Sequence, residues 1–145
     1  MGEKKLVVLM AEDNKHDRLA TERAWEELNI TNPLVIVNDG EQILDYLYKR
    51  GKFSEPGAAP RPGIVLLDIK MPRVNGIEVL KHIRDSDKFH QLPVIMLTSS
   101  KLEEDRLKSY NMGATAYIEK PLDYENFTAA IKAINMFWTL VELPG

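Results

Sequence analysis

Five polar residues stand where apolar runs of the chain end. Glu12 and Asp13 follow residues 6–11 (LVVLMA), Asp68 follows 64–67 (IVLL), Thr98 follows 93–97 (PVIML), and Lys120 comes just after 116–118 (AYI). Three carboxylates at close range repel one another unless a cation sits among them. All-oxygen ligation through one or two carboxylates, completed by waters and a phosphate oxygen, is what Mg²⁺ accepts. Lys120 supplies a point charge suited to phosphate and Thr98 a hydroxyl donor. A carboxylate that attacks phosphorus needs its equatorial oxygens neutralised and an in-line approach, and little else. Metal, ammonium and hydroxyl around one aspartate therefore make a site for holding a phosphoryl group.

The elements that must position these residues follow from the hydrophobic pattern. The four runs above, together with 34–37 (LVIV), read as strands. Most are continuously apolar rather than alternating, as parallel strands covered on both faces are. Between them Ala20, Ala24 and Leu28, then Ile43, Leu44, Leu47 and Tyr48, then Ile77, Leu80 and Ile83 recur at helical spacing. The last helix carries Phe127, Ala130, Ile131, Ile134, Phe137 and Trp138 on one wide stripe. Ser100 with Glu103 and Asn38 with Glu41 read as capping boxes, Asp123 as an N-cap, and Gly113 as a left-handed helix stop. The sum is α/β, a (βα)5 doubly wound five-stranded parallel sheet of flavodoxin-like strand order 2-1-3-4-5. Ligands of such a sheet bind beyond the carboxyl ends of its strands, where the residues above stand. Asn38 and Asp39 follow the second strand, whose place at the sheet edge excludes them.

Composition narrows the function. A chain of 145 residues points to one domain, 1–145, with a core over about 5–140. No cysteine is present, so thiolate metal sites, disulfides and a cysteine nucleophile are excluded. Nineteen basic against 22 acidic residues give −3, no broad cationic surface for nucleic acid. The six-residue apolar run at 6–11 is too short for a membrane span or a secretory segment. A soluble, cytoplasmic protein is expected. Segment 51–63 (GKFSEPGAAPRPG) concentrates proline and glycine and reads as a mobile surface loop before the third strand. Residues 101–108 (KLEEDRLK) read as a solvated helix face. His16, His82 and His90 read as surface positions without ligand spacing, and Met10, Met96 and Met136 as core.

Glu12-Asp13, Asp68-x-x-Met71-Pro72-x-x-x-Gly76, Thr98 and Tyr117-x-x-Lys120-Pro121 together resemble the receiver domain of two-component response regulators. The resemblance runs from about Leu6 to Trp138. It implies that Asp68 is the phosphoacceptor, charged by a sensor histidine kinase. It implies that Asp13 ligates Mg²⁺ directly, Glu12 mostly through water, and the Lys70 backbone carbonyl as a third protein ligand beside Asp68. Lys120 would pair with one phosphoryl oxygen and Thr98 with another, while Tyr117 would be the switch aromatic that follows the threonine inward. The Lys120–Pro121 peptide would be cis. The Pro/Gly loop and the ending Phe137-Trp138-x-x-Val141-x-Leu143-Pro144 resemble the response regulators associated with bacterial phytochromes, which suggests a phytochrome-like kinase.

Only a short tail, 139–145, follows Trp138, so the output is expected to be a change of binding surface or onward phosphate relay. Such a protein would be no enzyme beyond self-catalysed phosphotransfer and autodephosphorylation. A phosphohydrolase using an aspartyl phosphate is disfavoured because position 70 is lysine, where that chemistry places a second acid. A phosphorylation-independent binding module is disfavoured by the intact Glu12, Asp13, Asp68, Thr98 and Lys120. Phe137 and Trp138 lie 100° apart on a helix, so an exposed aromatic patch is expected beside the fourth helix and fifth strand. From it follows a homodimer through the helix 4–strand 5–helix 5 face, with 137–144 contributing.

Overall fold

A computed structural model describes residues 5–140. Strands Val8–Ala11 (β1), Leu34–Val37 (β2), Ile64–Leu67 (β3), Val94–Thr98 (β4) and Ala116–Glu119 (β5) form one sheet in the order β2-β1-β3-β4-β5. Every neighbouring pair is parallel. Helices Lys15–Glu27 (α1), Gly40–Leu47 (α2), Gly76–Asp85 (α3), Glu103–Asn111 (α4) and Tyr124–Leu140 (α5) connect and cover it. The expected α/β fold and strand order are what the chain adopts.

Alternate residues of each strand enter different cores. Leu9, Ala11, Val65, Leu67, Val94 and Met96 pack with α2 and α3. Val8, Met10, Ile64, Leu66, Ile95 and Leu97 pack with Ala24 and Trp25 of α1 and with Phe127, Ile131, Ile134 and Trp138 of α5. With both faces covered, no strand position of β1, β3 or β4 meets water, so these segments read as unbroken apolar runs. The chain order reverses between β1 and β3, which opens a crevice beyond their carboxyl ends.

Helix starts differ from expectation by one or two residues. Asn14 caps α1 by accepting from the Asp17 N–H, and Asp39, not Asn38, caps α2 by accepting from the Gln42 N–H. The first residue of α4 follows Leu102, which offers no side-chain cap. Ser100 lies two residues before that cap position, its hydroxyl donating to Asp105 Oδ2 at 2.6 Å and accepting from the Leu102 N–H at 3.3 Å. Asp123 does cap α5, accepting from the Asn126 N–H at 3.0 Å, and Gly113 does stop α4, with φ of +99°.

Segment 51–63 is fastened to the body. Its first residues, Gly51–Phe53, make a 3₁₀ turn, and the Phe53 ring meets Tyr46 edge-on at 5.1 Å. The Tyr46 hydroxyl donates to the Pro60 carbonyl at 2.8 Å, and Ala59 is buried.

The end of α5 corrects the aromatic patch. Trp138 is buried against Trp25 of α1 with ring centroids 5.6 Å apart, and Phe137 is half-buried in the same core. Asn32 fixes this arrangement: its side-chain oxygen accepts from Trp138 Nε1, its carbonyl accepts from Trp25 Nε1, and its amide donates to the Leu6 carbonyl. A buried indole N–H needs a partner, and this one finds it on the α1 side, away from α4. Val141, Leu143 and Pro144 lie outside the described residues. Met10 and Met96 are core, whereas Met136 is half exposed. All three histidines are exposed.

Candidate functional site

The carboxyl ends of β1, β3, β4 and β5 bring Glu12, Asp68, Thr98 and Lys120 into direct contact. Lys120 Nζ donates to Glu12 Oε1 at 2.6 Å and to Asp68 Oδ2 at 3.1 Å. The Thr98 hydroxyl donates to the other Asp68 oxygen, Oδ1, at 2.7 Å, and the Lys70 N–H reaches that oxygen at 3.3 Å. Glu12 and Lys120 are almost wholly enclosed, and Asp68 is 7% exposed. Asp13 is exposed at the rim of this cluster, as the residue that leaves β1.

The backbone around Asp68 is shaped by close approach. The Gly76 N–H donates to the Ile69 carbonyl, and a Cβ on Gly76 would lie 2.1 Å from the Asp68 carbonyl oxygen. Only glycine lets the start of α3 back onto the end of β3 at this distance.

One carboxylate of the site was invisible in the sequence. Asp17, in the first turn of α1, accepts from Lys120 at 2.8 Å across 103 positions of chain. Its type and place suit an ordinary helix start, where acids are favoured by the helix dipole, so nothing local marked it. The nearest clue was its position one turn beyond the Glu12-Asp13 pair.

The electrostatics follow from one ammonium facing three carboxylates. Burial alone would lower the Lys120 pKa, but its hydrogen bonds to Asp17 and Glu12 and the charges of Asp68 and Glu12 outweigh it and raise it well above the usual lysine value. Glu12 receives only a share of that charge. Its burial raises the carboxyl above the usual carboxylate range, and the Lys120 contact and the Asn14 N–H pull it only part of the way back.

Tyr117 is half-buried on β5 and its hydroxyl is bonded not to Thr98 but to the loop that follows it. Its hydroxyl donates to the Ser100 carbonyl at 3.1 Å, and the Ser100 N–H reaches Thr98 Oγ1 at 3.3 Å. Asp68, Thr98, Ser100 and Tyr117 thus lie on one continuous hydrogen-bonded path. The Lys70 side chain is exposed. Among the described residues no peptide bond is cis, so Lys120–Pro121 is trans, contrary to what the resemblance implied. Trans is the favoured isomer by about 0.5–1 kcal/mol, and the Lys120 N–H still closes onto the Thr98 carbonyl. Asp39, excluded earlier, is occupied elsewhere, with Arg73 and the start of α2.

Glu12, Asp13 and Asp68 present carboxylate oxygens within 4.8 Å of one another. An all-oxygen set of this kind fits a hard divalent cation, which would also relieve the excess of negative charge. No helix among the described residues is long and apolar enough to cross a membrane.

Residues 8–132 match the response regulator receiver domain. The chain is 30% identical to response regulator Rcp1 of Synechocystis over 140 residues, 96% of this chain and 93% of that protein. The Mn²⁺-bound form of Rcp1 superposes with a TM-score of 0.88, covering 97% of this chain and 99% of that one. The phosphorylated cyanobacterial phytochrome response regulator RcpA superposes with a TM-score of 0.89 at 30% identity, covering 97% and 99% of the two chains. Response regulator RPA3017, from red light signaling of R. palustris, gives 0.89 at 37% identity with the same coverage.

The raised pKa of Glu12 has a thermodynamic consequence. Its contribution to stability is complete below the unfolded value of 4.5 and is lost as pH rises through the higher folded value. Glu12→Gln keeps an acceptor for Lys120 and carries no charge. In metal-free protein its melting temperature is expected to gain on wild type as pH rises from about 4.5 through the raised folded value. Parallel pH profiles for the two proteins would contradict the buried, costly charge.

Proposed function

The chain belongs to the response regulator receiver domain family, and from that premise we propose that Asp68 accepts a phosphoryl group from a sensor histidine kinase in a Mg²⁺-dependent reaction. The observation that carries this reading is the pair of donors on Asp68, Thr98 at 2.7 Å and Lys120 at 3.1 Å, beside an acidic cluster at the carboxyl edge. One oxygen of Asp68 attacks phosphorus as the bond to the donor imidazole nitrogen breaks, and that nitrogen leaves with the electron pair. Glu12, Asp13, Asp68 and the Lys70 backbone carbonyl are the residues that would hold Mg²⁺, Glu12 through water. The ion, when bound, neutralises charge developing on the phosphoryl oxygens. Lys120 takes one of those oxygens as a fixed positive charge, and Thr98 turns its hydroxyl from Asp68 to another.

That turn gives the output. With Thr98 drawn to the phosphoryl group, its bond to the Ser100 N–H is disturbed, and Ser100 holds the Tyr117 hydroxyl. Tyr117 is then freed to move inward as the switch residue, which alters the surface of α4, β5 and α5. The chain acts as a cytoplasmic signalling protein, not an enzyme, and signals through that surface. Leu102, Leu107 and Tyr110 of the α4 region and Met136 of α5 are exposed there, and they support a homodimer through the α4–β5–α5 face. The phytochrome and red-light contexts of RcpA and RPA3017 support a phytochrome-like sensor kinase as the donor.

Incubation with Mg²⁺ and acetyl phosphate is expected to label wild type stably on Asp68 and to leave Asp68→Asn unlabelled but folded. Normal labelling of the variant, or steady turnover of donor without a stable adduct, would contradict the assignment.

Sedimentation tests the dimer. Wild type and Trp138→Ala should both sediment as two chains, since Trp138 packs within its own chain, whereas Leu107→Glu should be monomeric. A wild-type monomer at high micromolar concentration, with and without a phosphoryl mimic, would remove the dimer.

A further inference from the structure

An ammonium group has three N–H donors, and Lys120 spends all of them on carboxylates. Glu12, Asp17 and Asp68 accept at 2.6, 2.8 and 3.1 Å. A phosphoryl oxygen can therefore reach Lys120 only by taking over an N–H that one of the three accepts. The partners are not equal. Glu12 is fully buried, and unpairing a buried carboxylate is strongly unfavourable. Asp68 carries the phosphoryl group, so the donor it accepts passes to that group, and any further contact from Lys120 must displace one of the other two. Asp17 stands outside the Glu12, Asp13, Asp68 cluster, and its side chain is 32% exposed, so water can solvate it when the lysine leaves.

Resting on the phosphoacceptor reading of Asp68, we propose that Asp17 is a positioning residue that holds the third donor of Lys120 in the unphosphorylated protein and is displaced by the phosphoryl group. Its place is set by the start of α1. The Asp17 N–H donates to the Asn14 cap at 3.1 Å, and its carbonyl accepts from the buried Thr21 hydroxyl at 2.7 Å. The backbone therefore stays put while the carboxylate swings between Lys120 and water. Asp17 also adds a negative charge to a site that must admit an anion. Both effects lower the affinity of the resting site for phosphoryl groups, and both are relieved by removing the charge. Release of Asp17 also carries the loaded state to the first turn of α1, on the side of the sheet opposite α2 and α3.

The test uses beryllofluoride, a non-covalent phosphoryl mimic, with Mg²⁺ and the full chain. Asp17→Asn is expected to bind it roughly two- to fivefold more tightly than wild type, the change that a half-exposed ion pair corresponds to. Asp17→Glu, which can keep the contact, should stay near wild type. In wild type, the carboxyl carbon resonance of Asp17 should move toward that of a solvated aspartate on loading. That second readout needs no variant. Equal or weaker binding by Asp17→Asn, or an unmoved Asp17 resonance in loaded wild type, would overturn the proposal. Failure of wild type itself to take up the mimic or to be labelled at Asp68 would overturn the phosphoacceptor reading, and this inference with it.

Discussion

The site depends on one buried ammonium group shared among more negative charge than it can neutralise. Lys120 arrives from the end of β5 and meets acids from the end of β1, the end of β3 and the first turn of α1. Each side chain alone would be too costly to bury, and their mutual attraction is what makes the burial tolerable. The sharing is uneven by necessity. The lysine gains from every carboxylate and is held firmly protonated, while each carboxylate gains a fraction of one charge. The residual negative charge is what suits the edge to a divalent cation, and the concentrated positive charge is what suits it to phosphate.

The fold serves this constraint by aiming four strand ends at one point. Parallel strands buried on both faces cannot shift register without exposing a core, so the positions after them are rigid. Gly76 lets α3 close behind Asp68, and the Asn14 cap sets the first turn that brings Asp17 in. Two exits leave the cluster. One runs through Thr98, Ser100 and Tyr117 toward α4 and β5, and the other through Asp17 to α1. Helix α1 is in turn tied to α5 by Trp25, Trp138 and Asn32.

Much of this was legible in the sequence, and for physical reasons. Both-face burial writes strands as unbroken apolar runs, and the polar residues ending β1, β3, β4 and β5 were the ones that converge. What depended on distant partners was not legible. Asp17 looks like any acid at a helix start until Lys120, a hundred residues on, turns out to need a third acceptor. The spacing of Phe137 and Trp138 could not reveal that Asn32 and Trp25 wait on the α1 side. Ser100 had the residue type of a cap, but the helix starts only after Leu102, and its hydroxyl serves Asp105 and the Leu102 N–H instead. The trans Lys120–Pro121 bond likewise departs from what family resemblance implied.

Lys120 holds the acidic edge together, and a divalent cation can partly replace it. The unfolding free energy of Lys120→Met, measured by denaturant with and without Mg²⁺, tests this most directly. Removing one partner of a buried ion pair costs about 3–5 kcal/mol, so the metal-free variant should lose about that much. Mg²⁺ should then restore more stability to the variant than it adds to wild type. A variant within about 0.5 kcal/mol of wild type under both conditions, the range of an ordinary surface change, would contradict this role of Lys120.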